Sequence, residues 1–382
     1  MRPTPIIAAV LGTALACLPL GAGAQPTAEA VVWGSWFSQG GSYHQATATV
    51  VSGIPGTVTE VATSNSDAYF LTAAGAVYAE GAGQNGELGD GGTVDDWSGA
   101  PVEVDFPAGV TIAALSQDAM PYDGALAIDS TGTPWFWGNG ETGTSCNGKQ
   151  GIVATPEAVP LSGVTAIAAA SAHALYLVAG AVDVCGANQY GAVGTGKTGT
   201  CFTVCQVALP AGPAIAQIVA SSDDSGALLA TGAYYDWGSN AEGQVGIGSF
   251  TKEVLSPAEV PLPEAVTYVS QGANLYSNGS TVVRLQDGSW MTWGDDQDYQ
   301  LGDGRTTDEA SPIALAMPAG TTSAVEGALD LYAVTASGVY AVGAGSAYQL
   351  GVGRTASKAF VLSWAGPALA ISSTAFSVVA SC

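Results

Sequence analysis

The sequence predicts an all-β propeller of stacked repeats, and three observations carry that expectation. A glycine-anchored block returns along the chain, with Gly34, Gly81, Gly138, Gly186, Gly238, Gly294 and Gly343 in register at steps of 47, 57, 48, 52, 56 and 49 residues. Self-similarity at a near-constant period of this size means one supersecondary unit stacked many times. Each block follows a short alternating run, such as Tyr234-Tyr235-Asp236-Trp237 or Trp290-Met291-Thr292-Trp293, and β-branched and aromatic residues at period two read as a half-buried strand. Two apolar runs precede that strand, as in Thr165–Ala169 and Ala174–Val178, and a run opened by proline follows it, as in Pro101-Val102-Glu103-Val104. Proline fits the start or edge of a strand because it lacks a ladder donor. Four short strands per repeat are the content of one propeller blade.

From the N-terminus, Met1-Arg2 is basic, Ile6 to Leu20 is apolar but too short to span a bilayer, and Ala22-Gly23-Ala24 has the small-x-small pattern of a cleavage site. Residues 1–24 are therefore expected to be a signal peptide cleaved after Ala24, and 25–382 a single domain, exported or periplasmic. Leu15-Ala16-Cys17 offers the rival reading of a lipid anchor at Cys17. No other stretch is a transmembrane candidate. The expected mature start, Ala30-Val31-Val32-Trp33-Gly34, is an aromatic-glycine strand, whereas the chain ends on two strand-like runs with none after them. One blade is expected to be shared between the two termini, which pairs edges that would otherwise be exposed.

Within the blocks, Trp237-Gly238-Ser239-Asn240-Ala241-Glu242-Gly243-Gln244-Val245-Gly246-Ile247-Gly248 is the cleanest copy, and Trp33, Trp137, Trp237 and Trp293 precede their block's first glycine. This pattern resembles the repeat of the regulator of chromosome condensation family, over roughly Val31 to Cys382. The resemblance implies a seven-bladed β-propeller whose Trp and Gly positions, Gly81, Gly186 and Gly343 among them, are structural. Some copies depart from it. Glu80, Cys185 and Val342 stand where Trp is usual, and Tyr299 and Tyr348 replace the glycine at the fifth offset.

Without residues 1–24 the chain keeps seven basic against 32 acidic residues, a net of −25. Such a surface repels phosphates, so neither nucleic acid nor anionic lipid is expected as a partner; the charge reads first as a solvated extracellular face, with steering of a cationic partner as the alternative. Of the cysteines, Cys146, Cys185, Cys201 and Cys205 cluster in neighbouring repeats and are expected to hold at least one disulfide, with Cys382 outside it.

Catalytic constellations are missing from the sequence. His173 reads as a partly buried turn residue, with general-base work as the alternative, and His44 has no assignable partner. Asp295, Asp296, Asp298 and Asp303 suggest calcium at first sight, but they lack the alternating spacing of a known loop and read as a solvated turn. No cofactor or metal is expected.

The turn between the paired apolar runs is short in most copies but swells at 117–123 and 271–278. Extra length on one face of a repeat array often marks a binding face, which makes Met120, Tyr122, Asn274, Leu275 and Tyr276 the candidate contacts, with neutral insertion in exposed loops as the other reading. The expectation is a monomeric, non-enzymatic module that binds a protein or glycan. A hydrolase or lyase using the propeller mouth is the rival. By resemblance, the propeller-type β-lactamase inhibitory protein is a relative in fold and export, but its aromatic turns are not matched by Ser221–Ser225 here, so its target does not carry over.

Overall fold

The computed structural model describes residues 30–37, 42–64, 67–95, 101–116, 123–272, 279–353, 355–365, 368, 370–373 and 377–381. Among them the strands form seven four-stranded antiparallel sheets. Six sheets are unbroken stretches of chain, spanning 58–103, 112–158, 164–206, 215–259, 266–315 and 321–364, with their four strands hydrogen-bonded in chain order. We number these blades 1 to 6.

The remaining sheet runs, in order, Ser42–Val50, Ala30–Phe37, Ser377–Ser381 and Ala370–Ser373. This corrects the expectation of seven repeat blades: six blades, not seven, are complete repeat units. The copy at Trp33-Gly34 supplies only the outer half of a sheet, and a hairpin from the other end of the chain supplies the inner half. The N-terminal share is also two strands rather than the one expected, because Ser42–Val50 pairs with Ala30–Phe37. The two halves are joined by Ala30↔Ser381 through Gly34↔Ser377.

First strands line the inside of the ring, and polar side chains tie neighbours together. Leu115 N donates to Glu60 Oε2 at 2.8 Å, Gln217 Nε2 to Val269 O at 2.7 Å and Glu326 N to Ser270 Oγ at 3.0 Å. Thr63 N donates to Ser372 Oγ at 3.0 Å, which attaches the terminal sheet to blade 1.

The core lies between blades, and one contact recurs there. The third-strand tryptophan of a blade sends its indole N–H into the glycine loop of the blade before it, to the carbonyl six residues past the first glycine. Trp137 reaches Glu87 O, Trp237 reaches Ala192 O, Trp293 reaches Gln244 O and Trp33 reaches Gln349 O, each at 2.8 Å. All four tryptophans are fully buried. The loop glycine two residues later must be bare. A Cβ on Gly194 or Gly246 would lie 2.6 Å from the indole nitrogen, and both glycines have positive φ, 66° and 71°.

At the junction of blades 2 and 3 three positions differ together. Cys146 occupies the bare-glycine position, with φ of 57°, and Cys185 occupies the tryptophan position; the two form a disulfide. The register that puts Ala227 and Ala127 beside a tryptophan puts Tyr176 here. Its hydroxyl donates to Thr144 O, the sixth-offset carbonyl, at 3.4 Å. A second disulfide, Cys201–Cys205, closes the bulge where five residues of a fourth strand oppose three of the third.

The junction can therefore be converted. Cys146→Gly or Cys185→Trp alone removes the disulfide and should lower stability by about 2–4 kcal/mol. The pair without Tyr176→Ala should remain overpacked by about 1–3 kcal/mol. The triple variant should melt near the oxidised parent, because it rebuilds the contact seen at Trp237; thermal melts of the four variants check this.

Candidate functional site

Antiparallel alternation puts the turns between first and second strands on the same ring face as the glycine loops. Four of these turns are tight and closed by one backbone bond: Ser64 N to Asp67 O (3.0 Å), Ala170 N to His173 O (2.9 Å), Ser221 N to Asp224 O (3.0 Å) and Gly327 N to Asp330 O (2.7 Å). The long turns are those of blades 2 and 5, between Ile112–Leu115 and Gly124–Asp129 and between Val266–Gly272 and Ser280–Leu285. Blades 3 and 4 separate blades 2 and 5 on one side, and blade 6, the terminal sheet and blade 1 separate them on the other, so these two blades lie on opposite sides of the ring. Met120, Tyr122, Asn274, Leu275 and Tyr276 themselves lie outside the described residues.

Beneath this face sits a belt of buried acids. Asp67, Asp224 and Asp330 each open a second strand and are fully buried, with Glu326 behind them at the end of a first strand. Asp67 takes the Ser64 hydroxyl, Asp224 that of Ser221, and Glu326 that of Ser280 in the preceding blade. Gln271 Nε2 of blade 5 donates to Asp236 Oδ2 at 2.7 Å and to Asp224 Oδ2 at 3.2 Å, both in blade 4, where Tyr234 OH donates to Asp236 Oδ2 at 3.0 Å. Asn85 Nδ2 bridges Asp123 Oδ2 and Glu87 Oε1 at 3.2 and 3.0 Å.

The ion pairs among the described residues are Lys252–Glu253 and Arg305 with Asp303 and Glu309, and none of them includes a carboxyl of the belt. Burial without a counter-charge pushes the carboxyls of Asp67, Asp236 and Glu326 well above the usual range, raises Asp224, and brings Asp123 to about 6, with the Glu87 charge adding to it. An acid pair such as Asp224 and Asp236 would suit general acid–base chemistry, but both side chains are closed off from solvent. The signal for them in sequence was an Asp at an inward-facing strand position, Tyr235-Asp236-Trp237, which alternation alone does not distinguish from a solvent-facing one.

His173 is also fully buried, beyond the partial burial expected. Its Nε2 lies 2.7 Å from Ser225 Oγ in the next blade, and that hydroxyl donates to Ala192 O at 3.0 Å. With the hydroxyl proton spent on Ala192, Nε2–H is the donor. Burial drives the imidazole pKa down to about 4, so it is neutral. Asp295 and Asp296 are buried as well, 3% and 0% exposed, which corrects their reading as a solvated turn. Among the described residues no three His, Cys, Asp or Glu side chains converge as metal ligands, and no helix is long and apolar enough to cross a membrane.

Residues 231–275 match the family described as "Regulator of chromosome condensation (RCC1) repeat". Over 261 residues the chain is 27% identical to the Ultraviolet-B receptor UVR8 of Arabidopsis thaliana, covering 67% of this chain and 57% of the receptor. It is 28% identical over 252 residues to the human E3 ubiquitin-protein ligase HERC2, covering 65% of this chain and 4% of the ligase. The matched region is thus just over half of the receptor and a small fraction of the ligase. In fold it is similar to human WBSCR16, with TM-score 0.80 and 17% identity, over 94% of this chain and 99% of that one. It is likewise similar to Prp20p of Saccharomyces cerevisiae, with TM-score 0.77 and 18% identity, over 93% and 91%.

The belt sets a pH dependence. Each raised carboxyl holds its proton more tightly folded than unfolded. Its contribution is complete below the ordinary pKa of about 4 and is lost as pH rises through the folded value, about 6 for Asp123. His173 works in the opposite sense, because only the unfolded chain gains its proton between about pH 6.5 and 4. The acids outnumber it, so the melting temperature should be higher at pH 5.5 than at pH 8. Asp236→Asn, a neutral isostere, should narrow that gap by stabilising the protein at pH 8, and melts at the two pH values decide.

Proposed function

We propose that this chain, built from RCC1-type repeats, is an exported, monomeric, non-enzymatic interaction propeller that holds a protein on the face carrying its two long turns. The support for this reading is that the two enlarged turns of the sequence each join the first and second strands of a blade, and that those blades, 2 and 5, lie on opposite sides of the ring. Met120, Tyr122, Asn274, Leu275 and Tyr276 are the proposed contacts. A tyrosine beside an apolar residue at each side gives a partner two separated anchors, the composition of binding hot spots.

The relatives support a protein rather than a glycan. They include a receptor and a ubiquitin ligase, and the Prp20p structure is described with that protein's binding properties to Gsp1p and histones. Export is supported by the two disulfides, which persist in oxidising compartments. In this reading residues 1–24 are a signal peptide cleaved after Ala24. The net charge of −24 favours a cationic partner and disfavours nucleic acid. Use of the mouth as a hydrolase or lyase site is disfavoured because the acid pair of blade 4 is closed off.

Tyr122→Ala with Tyr276→Ala should leave the melting temperature nearly unchanged and weaken a captured partner by about thirtyfold, the equivalent of about 2 kcal/mol. Gln286→Ala with Asp287→Ala, exposed on the opposite face, should change nothing. Association should slow as salt rises. Surface-immobilised binding kinetics read all three, and equal affinity in the tyrosine variant would remove this face from consideration.

A further inference from the structure

The glycine loops of blades 3 and 4 are sewn together by an asparagine two residues past the first glycine. Asn188 Oδ1 accepts Val193 N–H at 3.0 Å, and its Nδ2 donates to Lys197 O at 2.8 Å and Gly199 O at 3.2 Å. Asn240 does the same, accepting Val245 N–H at 3.0 Å and donating to Ser249 O at 2.9 Å and Thr251 Oγ1 at 3.0 Å. Each amide thus supplies one acceptor and two protons to its loop.

Blade 5 has Asp296 at this position. Its Oδ1 still accepts the equivalent amide, Leu301 N–H, at 3.0 Å, so the side chain sits and points as the asparagines do. Where they carry an NH2, it carries a second oxygen. That Oδ2 is buried and has no hydrogen-bond partner, and the residue is 0% exposed. The Asp303 carboxylate lies against it, and Asp303 Oδ2 likewise accepts no hydrogen bond; besides Leu301, the Thr307 backbone amide is the donor directed at the Asp296 carboxyl. Two buried acceptors therefore meet where the fold elsewhere supplies donors.

Charges around the pair do not resolve this. Arg305 NH1 is 3.8 Å from Asp303 Oδ2 and 3.9 Å from Glu309 Oε1, beyond hydrogen-bond reach, and its side chain is 69% exposed. The other charged groups nearby are acids. Asp308 Oδ1 accepts Asp296 N–H at 2.9 Å, Asp295 Oδ1 accepts Gln297 N–H at 3.2 Å, and Glu242 of blade 4 lies against Asp308.

We propose that the Asp296–Asp303 pair in the blade 5 loop binds a hard divalent cation, Ca²⁺, which takes the place of the two amide protons carried by Asn188 and Asn240. The donors are oxygens only, which suits Ca²⁺ and not Zn²⁺. Two carboxylates supply the charge, and backbone carbonyls and water complete the six to eight ligands Ca²⁺ requires. With two protein carboxylates the affinity belongs at the weak end, a Kd of about 10⁻⁴–10⁻³ M, the range of extracellular modules. A proton competes with the cation for the carboxylates, so binding strengthens as pH rises.

The test uses the full mature chain at pH 8, stripped with a chelator and titrated with CaCl2 to about 10 mM, read by calorimetry and thermal melting. Binding should appear as a saturable heat and a rise in Tm of about 2–3 °C at ten times Kd. Asp296→Asn, the residue of the neighbouring loops, should melt higher than the parent in chelator and lose the Ca²⁺ response. Asp303→Asn should lose the response too, and it decides the matter if the first variant fails to fold. A parent chain that shows no heat and no shift overturns the proposal, even if Asp296→Asn is stabilising, because the pair then holds a proton only. A folded asparagine variant that keeps the parent's response overturns it as well.

Discussion

The ring depends on the bond from a buried indole N–H to the loop carbonyl of the preceding blade. A four-stranded sheet buries neither of its faces alone, so each blade is stable only against its neighbours. Apolar contact would allow neighbours to slide, but a donor that must meet one carbonyl does not, since an unpaired buried N–H costs about 1–3 kcal/mol. The four bonds share one length, 2.8 Å, although their sequence separations run from 45 to 50 residues in three cases and reach 316 in the fourth. The last, Trp33 to Gln349, closes the circle with the same contact that builds it. The accepting carbonyls are shared as well. Glu87 O also takes Tyr69 OH and Gln349 O also takes Tyr332 OH, so both lone pairs are used and the loop is fixed from two directions.

Holding the loops this way constrains what lies beneath the face. The first and second strands end beside the loops, and their terminal side chains are sealed in whether they are apolar or not. Asp67, Asp224 and Glu326 are there as acids, with Asp236 of the third strand beside Asp224, and their donors are hydroxyls, an amide and backbone N–H groups, all uncharged. A buried ionised carboxylate without a counter-charge is costly, so the group keeps its proton. The belt is tolerable because the molecule can hold it neutral, and a fold with this interior favours mildly acidic surroundings over alkaline ones.

Much of the scaffold was legible because glycine and tryptophan leave strong marks at a fixed period. The spacing of Gly81, Gly138, Gly186, Gly238, Gly294 and Gly343 gave the blade boundaries, and Trp137, Trp237 and Trp293 gave the third strands. The count of complete blades was overestimated because Trp33-Gly34 carries the mark of a whole repeat while contributing half a sheet. Ser42–Val50 was missed as a strand because Gly40-Gly41 before it reads as loop. The cysteine clustering gave the disulfides but not their pairing. That pairing follows from Cys146 holding a glycine position and Cys185 a tryptophan position, a relation between two blades visible only once those positions are known to touch. Burial of Asp224, Asp236, Asp295 and Asp296 was not legible, since an acid in a turn or on an alternating strand is solvated far more often than sealed. The long turns were legible as insertions, and their anchors stay a matter of sequence.

Repeats also allow a departure to be weighed against its register. At the junction of blades 2 and 3 three positions change together, Gly to Cys, Trp to Cys and Ala to Tyr, and the contact is replaced in full. Between blades 5 and 6 the tryptophan position is Val342 and the bare glycine remains. A Cβ on Gly302 would meet Val342 at 3.3 Å rather than the 2.6 Å seen at an indole, and apolar packing takes over. Each change has its answer within the chain. Asp296 breaks that pattern. Its Oδ1 keeps the repeat's bond, its Oδ2 loses both donors, and the side chain that meets it, Asp303, is another acceptor. A second carboxylate worsens the conflict that a compensating residue would relieve. Where these two junctions answer their departures internally and this one is made more acute by its own neighbour, what completes the site has to come from solution, as a proton or as a cation.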